Sequence, residues 1–217
     1  NMLGGYDDNV PKNIEFYKID CCDQSNLDSL FSKQKFDLVI HAACTAYEGL
    51  SVVSPVFVTR NTYDATVNVV TSSIKHNVKK FVYMSSMARY GNQKSPFHEN
   101  MIPKPEDPYG IAKVAVEESL KLLCETHSMD YNIAVPHNIV GPNQKYDDPY
   151  RNVISIFLNR MLQGKEPLIY GDGNQKRCFS YIDDDLYCLK KMAFSDKVVG
   201  EIINIGPDEE FISINTL

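Results

Sequence analysis

Tyr109 and Lys113, four residues apart in Tyr109-Gly110-Ile111-Ala112-Lys113, could together make a base. A tyrosine is protonated near neutrality, with a reference pKa of about 10, and accepts a proton only where positive charge stabilises its phenolate. Lys113 offers that charge, because residues i and i+4 share one face of a helix and can reach one pocket. Ser86, earlier in the chain, adds a hydroxyl that can share the proton with a substrate. Phenol and lysine at this spacing also occur on helices that do no chemistry, so the surrounding elements must decide.

Those elements alternate. Short apolar runs and longer amphipathic ones follow each other from residue 14, the pattern of a βαβ-wound parallel sheet. Strands are predicted at 14–20, 36–43, 79–84 and 131–135, and helices at 23–31, 62–76 and 109–127. The run Phe36-Asp37-Leu38-Val39-Ile40-His41-Ala42-Ala43 is nearly continuously apolar, as in a strand covered on both faces. The rhythm changes at Gly141-Pro142, where turn residues bracket a helix over 152–164. A strand at 178–182 and the helix after Asp183 then return to the sheet. The expected fold class is α/β: a Rossmann-type doubly wound parallel sheet with a smaller, partly truncated substrate-binding lobe. Its parts are 1–140, a dinucleotide-binding domain lacking its first βα unit; 141–177, a lobe insertion; 178–195, a return to the sheet; and 196–217, the start of a C-terminal lobe. In such sheets ligands bind outside the carboxyl ends of the strands. Asp20, Ala42-Ala43, Ser85-Ser86 and His137 all stand at such ends.

Composition narrows the class further. The chain has 217 residues, 43% of them hydrophobic, and a net charge of -6. That balance argues against a nucleic-acid surface, and no apolar run approaches the roughly twenty residues of a membrane span. With no signal-peptide pattern, the expected location is the cytoplasm. Six cysteines form no C-x-x-C pair, and Cys21-Cys22 is a poor chelate because strand neighbours point to opposite faces. They read as reduced structural thiols, and no metal site is expected.

The ordered set of Asp20, His41-Ala42-Ala43, Ser85-Ser86 with Tyr90-Gly91, Tyr109 and Lys113, Asn138 with Gly141-Pro142, Gly171-Asp172-Gly173, and Arg177 before Tyr181 resembles the extended short-chain dehydrogenase/reductases. Within them it is similar to the NAD-dependent nucleotide-sugar epimerases and dehydratases, in the manner of UDP-glucose 4-epimerases. The resemblance implies NAD as cofactor. Asp20 and Cys21 would lie against the adenine, Ala42, Ala43 and Cys44 under the phosphates and ribose, Met84, Ser85 and Ser86 beside the nicotinamide, and Pro136 and His137 would touch it through backbone. It implies a UDP-sugar or related nucleotide sugar held by Ser86, Met87, Asn138, Asn152, Tyr170 and Arg177, with Arg177 suited to a diphosphate by its planar fork. Ser86, Tyr109 and Lys113 would be the catalytic set. Family members carry a glycine-rich GxxGxxG turn, which this sequence does not contain; Asn1-Met2-Leu3-Gly4 resembles the segment after the second strand, and the chain by itself is expected to be inactive. Near Asn61-Thr62 the family often turns an asparagine toward the cofactor, and neither residue is assigned.

The resemblance also bears on the reaction. Dehydratases of the family carry Asp-Glu directly after the catalytic Ser or Thr, where this chain has Met87-Ala88, so dehydration is disfavoured. The expected activity is C4 epimerisation of UDP-glucose and UDP-galactose, or their N-acetyl forms, through a transient 4-keto sugar. A 4-keto reductase, a dehydratase and a non-catalytic NAD-binding relative remain as alternatives. Analogy further implies a homodimer paired through the helices at 62–76 and 109–127.

Overall fold

The computed structural model describes residues 2–150, 152–207 and 211–217. Four parallel strands form its centre: β1 Leu38–His41, β2 Lys80–Met84, β3 Asp130–Pro136 and, much later in the chain, Ile202–Ile205. They lie side by side in that order. The expected α/β doubly wound sheet is present.

Alternation along the strands assigns the two faces. Phe81, Tyr83, Ile133 and Val135 point to one side, against α1 Gln24–Lys33, α4 Ala65–Lys75 and α5 Pro108–His127. Val82 and Ala134 point to the other, against Leu189, Met192 and Ala193 of a helix over Ile182–Phe194. Buried Lys80 ties that helix down, its ammonium donating to the carbonyls of Met192 (2.7 Å) and Ser195 (2.9 Å). A cation suits the negative end of a helix.

Helix starts follow local chemistry. Asp107 caps α5, its carboxylate accepting from Gly110 N at 2.9 Å, and Pro108 occupies a first-turn position where no N–H is needed. Asp23 caps α1 in the same way. Between β1 and β2 the chain forms α2 Glu48–Val53 and α3 Pro55–Thr59, and then a π-helical turn over Arg60–Asp64 that leads into α4. The expected helix at 62–76 is therefore α4 with a π turn at its start. Such turns widen a helix by one residue and often mark functional sites.

Three expectations change. Residues 15–20 join no strand ladder, so 14–20 is not a strand; β1 is the sheet edge among the described residues, and Ile40 on it is 48% exposed. The strand foreseen at 178–182 shrinks to β6 Ser180–Tyr181, which pairs with β4 Ile139–Val140 outside the central sheet, because α7 Ile182–Phe194 begins at once. Conversely β7 Ile202–Ile205 belongs to the central sheet, so the sheet extends past the expected boundary at 195. Its apolar run is covered by α7 on one side and meets β3 along its edge. The lobe also holds α6 Val153–Leu162, capped by Asn152, and an antiparallel pair of β5 Lys176–Arg177 with β8 Ile212–Ser213. Asn1, part of the segment likened to that just after the family's second strand, lies outside the described residues.

Candidate active site

The four strand ends open into neighbouring cavities. The first, about 370 Å³, is lined by Asp20, Cys21, Ala42, Ala43 and Cys44, together with Met2–Gly5 and Asn61. Five of the expected cofactor residues thus meet in one place, while Pro136 and His137 line the second cavity. Small side chains at Ala42 and Ala43 leave room for a bulky flat ligand, and the Asp20 carboxylate at its rim also accepts from Cys22 N at 2.9 Å. Gly5 adds no cradle, since a Cβ built there meets nothing within 4 Å. The cavity therefore fits the adenosine end of a dinucleotide. It holds no phosphate-binding glycine turn.

A second cavity, about 560 Å³, is lined by Ser86, Met87, Pro136, His137, Asn138 and Arg177. Glu48, Glu106 and Asp107 face it as well. Asn138 and Arg177 are shared with a smaller cavity of about 210 Å³ that contains Asn152 and Tyr170. All of the expected substrate residues therefore surround two connected spaces. Both amides have structural duties there: Asn138 Nδ2 donates to Cys178 O at 3.0 Å, and Asn152 Oδ1 caps α6.

Tyr109, on α5, has neighbours in the linings of both the first and the second cavity. Its side chain is buried, and Cys44, which lines the first cavity, and Ser86, which lines the second, are neighbours that act on its hydroxyl. Burial raises its pKa well above the ordinary value, Cys44 and Glu48 raise it further, and the Ser86 hydrogen bond lowers it. Without a ligand the phenol is protonated. Ser86 is held for this contact by its place at the start of a 3-10 turn, Met87–Tyr90, where its Oγ accepts from Ala88 N at 3.2 Å.

Lys113 lies on the same face of α5, as the spacing predicts, but its ammonium does not bond the phenol. It donates to Met84 O at 2.5 Å and sits over the rings of Tyr83, 4.8 Å from the centroid, and Tyr109, 5.7 Å from the centroid. Its charge also acts on His41. That imidazole is buried with Nε2 3.0 Å from Thr66 Oγ1, and burial first, with Lys113 second, pulls its pKa down to about 3.

Two expected cofactor residues point elsewhere. The Met84 side chain packs on the α7 side of the sheet, leaving only its carbonyl to the site. The Ser85 hydroxyl donates to buried Glu117, whose other oxygen pairs with Arg89 at 3.1 Å. Strand alternation explains both, because successive side chains at the end of β2 leave opposite faces. Arg89 continues inward to the Tyr90 hydroxyl at 2.9 Å, and Tyr90 donates to Asn204 Oδ1 at 2.9 Å. A polar chain therefore ties α5, the Ser86 turn and β7 together beneath the site.

Sequence reasoning missed Glu48 and the Arg89/Glu117 pair, and left Asn61 unassigned. Glu48 had no signal, since a glutamate at a helix start is commonplace. Glu117 had one: it follows Lys113 by four residues and Tyr109 by eight, on the same face of α5. Asn61 reaches the first cavity through the π turn, whose extra residue no periodicity reveals.

Comparison with known proteins identifies the family and the fold. A putative UDP-glucose 4-epimerase of Methanocaldococcus jannaschii is 34% identical over 221 residues, covering 100% of this chain and 70% of the relative. A UDP-N-acetyl-alpha-D-glucosaminuronate decarboxylase of Bacillus cytotoxicus is 32% identical over 211 residues, covering 94% of this chain and 64% of the relative. The crystal structure of UDP-glucose 4-epimerase with UDP-glucose from Thermotoga maritima superimposes with a TM-score of 0.92 at 30% identity, over 99% of this chain and 69% of that one. The chain thus spans about two thirds of the length of these relatives. The NAD dependent epimerase/dehydratase family profile matches residues 4–206, and the chain belongs to that family.

Proposed function

We propose that this chain carries the catalytic centre of a nucleotide-sugar 4-epimerase. One observation supports the reading above others: buried Tyr109 neighbours Cys44 in the lining of the first cavity, which would take the dinucleotide, and Ser86 in the lining of the second, which would take the sugar. Asp20, Cys21, Ala42, Ala43, Cys44 and Asn61 would hold NAD, with Pro136 and His137 at its far end. When bound, NAD would supply a hydride acceptor and positive charge beside the phenol.

Tyr109 takes the proton from the sugar 4-hydroxyl and returns it on the way back. Ser86 bonds the same oxygen, so the proton moves along a short prepared path. Lys113 fixes the strand end through Met84 O and contributes charge beneath the ring. Asn138 and Arg177, at the junction of the sugar cavity and the smaller one, would hold the diphosphate, with Tyr170 beside the base. Met87 and Ala88 have no proton to exchange, which favours epimerisation over dehydration. The protein is read as a homodimer formed through α4 and α5, where Ile111 and Leu122 are exposed; equilibrium sedimentation showing only monomer would remove that part.

The test is incubation of the intact protein, supplied with NAD, with UDP-glucose, and separately with UDP-N-acetylglucosamine, without added reductant. Conversion to the C4 epimer is expected. Turnover that needs stoichiometric NAD(P)H would make the protein a 4-keto reductase instead.

A further inference from the structure

We propose that Glu48 selects the sugar class: its carboxylate stands where the hexose lies, so the site accepts sugars without a carboxylate and rejects uronates. The proposal rests on the nucleotide-sugar reading above and adds the substrate class to it.

The ligand's direction follows from the cavities. Tyr170 and Asn152 lie at one end, Ser86 at the other, and Asn138 and Arg177 between them. A nucleotide sugar with its diphosphate at Arg177 must place its hexose between Arg177 and Ser86. Glu48 faces that same space from the first residue of α2. It is also near enough to Arg177 and to Tyr109 for its charge to be felt at both.

The rest of the wall reinforces its charge. Asp107 and Glu106 line the same cavity, and Asp107 Oδ1 is fixed by Gly110 N at 2.9 Å and Ser51 Oγ at 3.3 Å. Lys176 and Arg177 are the cations on this wall, and Arg177 is occupied by the diphosphate. No ion pair within 4.0 Å neutralises Glu48 among the described residues. A sugar carboxylate would therefore meet three carboxylates and one lysine. Hydroxyl groups, by contrast, can donate to Glu48. Discrimination of this kind comes from a repulsive element as well as an attractive one.

The relatives make the question open, since one is named for a glucose substrate and another for a uronate. The experiment is calorimetric titration of the protein, with NAD present, by UDP-glucose and by UDP-glucuronate. It is repeated for Glu48→Gln, which keeps the shape and removes the charge. The unaltered protein is expected to bind UDP-glucose at least about tenfold more tightly, a modest effect for a charge pair at partly shielded range. In Glu48→Gln the ratio should shrink by about threefold or more. Equal or tighter binding of UDP-glucuronate by the unaltered protein overturns the proposal, as does an unchanged ratio in the variant. If the preference holds but neither sugar turns over, the epimerase reading fails while the selection stands. If neither nucleotide sugar binds, both fail.

Discussion

Tyr109 is buried beside Ser86, and burial keeps it protonated in the absence of ligand. The proposed role of Tyr109 as proton carrier predicts that Ser86→Ala, which removes the hydroxyl beside it, lowers kcat by about 10²-fold while leaving the KM for nucleotide sugar within a few-fold, read from initial rates. Arg89 and Glu117 act beneath it. Their ion pair is almost fully enclosed, at 2% and 0% side-chain exposure, and burial raises the Glu117 pKa while Ser85 and Arg89 hold it down. Removing one partner leaves a buried charge unmatched. Arg89→Leu should cost about 3–5 kcal/mol in urea unfolding, and Arg89→Leu with Glu117→Leu should cost less than either change alone. Additive losses in the double variant would show that the pair is not coupled. The sequence disclosed the types and spacing of Tyr109, Lys113 and Ser86, but not that Ser85 turns inward, because one residue's difference at a strand end decides which face a side chain serves.

The elements that carry these residues were legible where their signals were local. Asp107 before Pro108, and the i, i+4 face of α5, both come from neighbouring residues, and the structure keeps them. The pairing of β7 and the fate of 15–20 depend on partners distant in sequence, so hydrophobic pattern alone misplaced them. Gly91 shows how tightly the Ser86 turn is fitted to its surroundings. It has φ +56°, and a Cβ there would lie 2.1 Å from the Lys104 carbonyl oxygen. Gly91→Ala combines backbone strain with a clash against backbone, and is expected to lower the thermal midpoint by several degrees, corresponding to about 1–3 kcal/mol. A midpoint equal to that of the unaltered protein would mean the turn can move freely, and with it Ser86.

At the scale of the whole molecule, buried His41 makes stability depend on pH. Its folded pKa of about 3 lies below the ordinary value of 6.5. The unfolded chain therefore takes up a proton below about pH 6.5 that the folded chain refuses until about pH 3. This contribution is complete above pH 6.5 and is lost as pH falls between those values, by at most about 1.4 kcal/mol per pH unit. Urea unfolding at about pH 7 and about pH 5 should show the loss, and His41→Asn should flatten it. Among the described residues no helix is long and apolar enough to cross a membrane, and all six cysteines are free. C4 epimerisation, the activity proposed for this site, is tested most directly by the rate of UDP-glucose to UDP-galactose conversion by Tyr109→Phe of the intact protein supplied with NAD, beside the unaltered protein, followed by proton NMR without added reductant. The account predicts conversion by the unaltered protein and a loss of about 10²-fold or more in the variant, with UDP-glucose still bound. Full activity in Tyr109→Phe would contradict it.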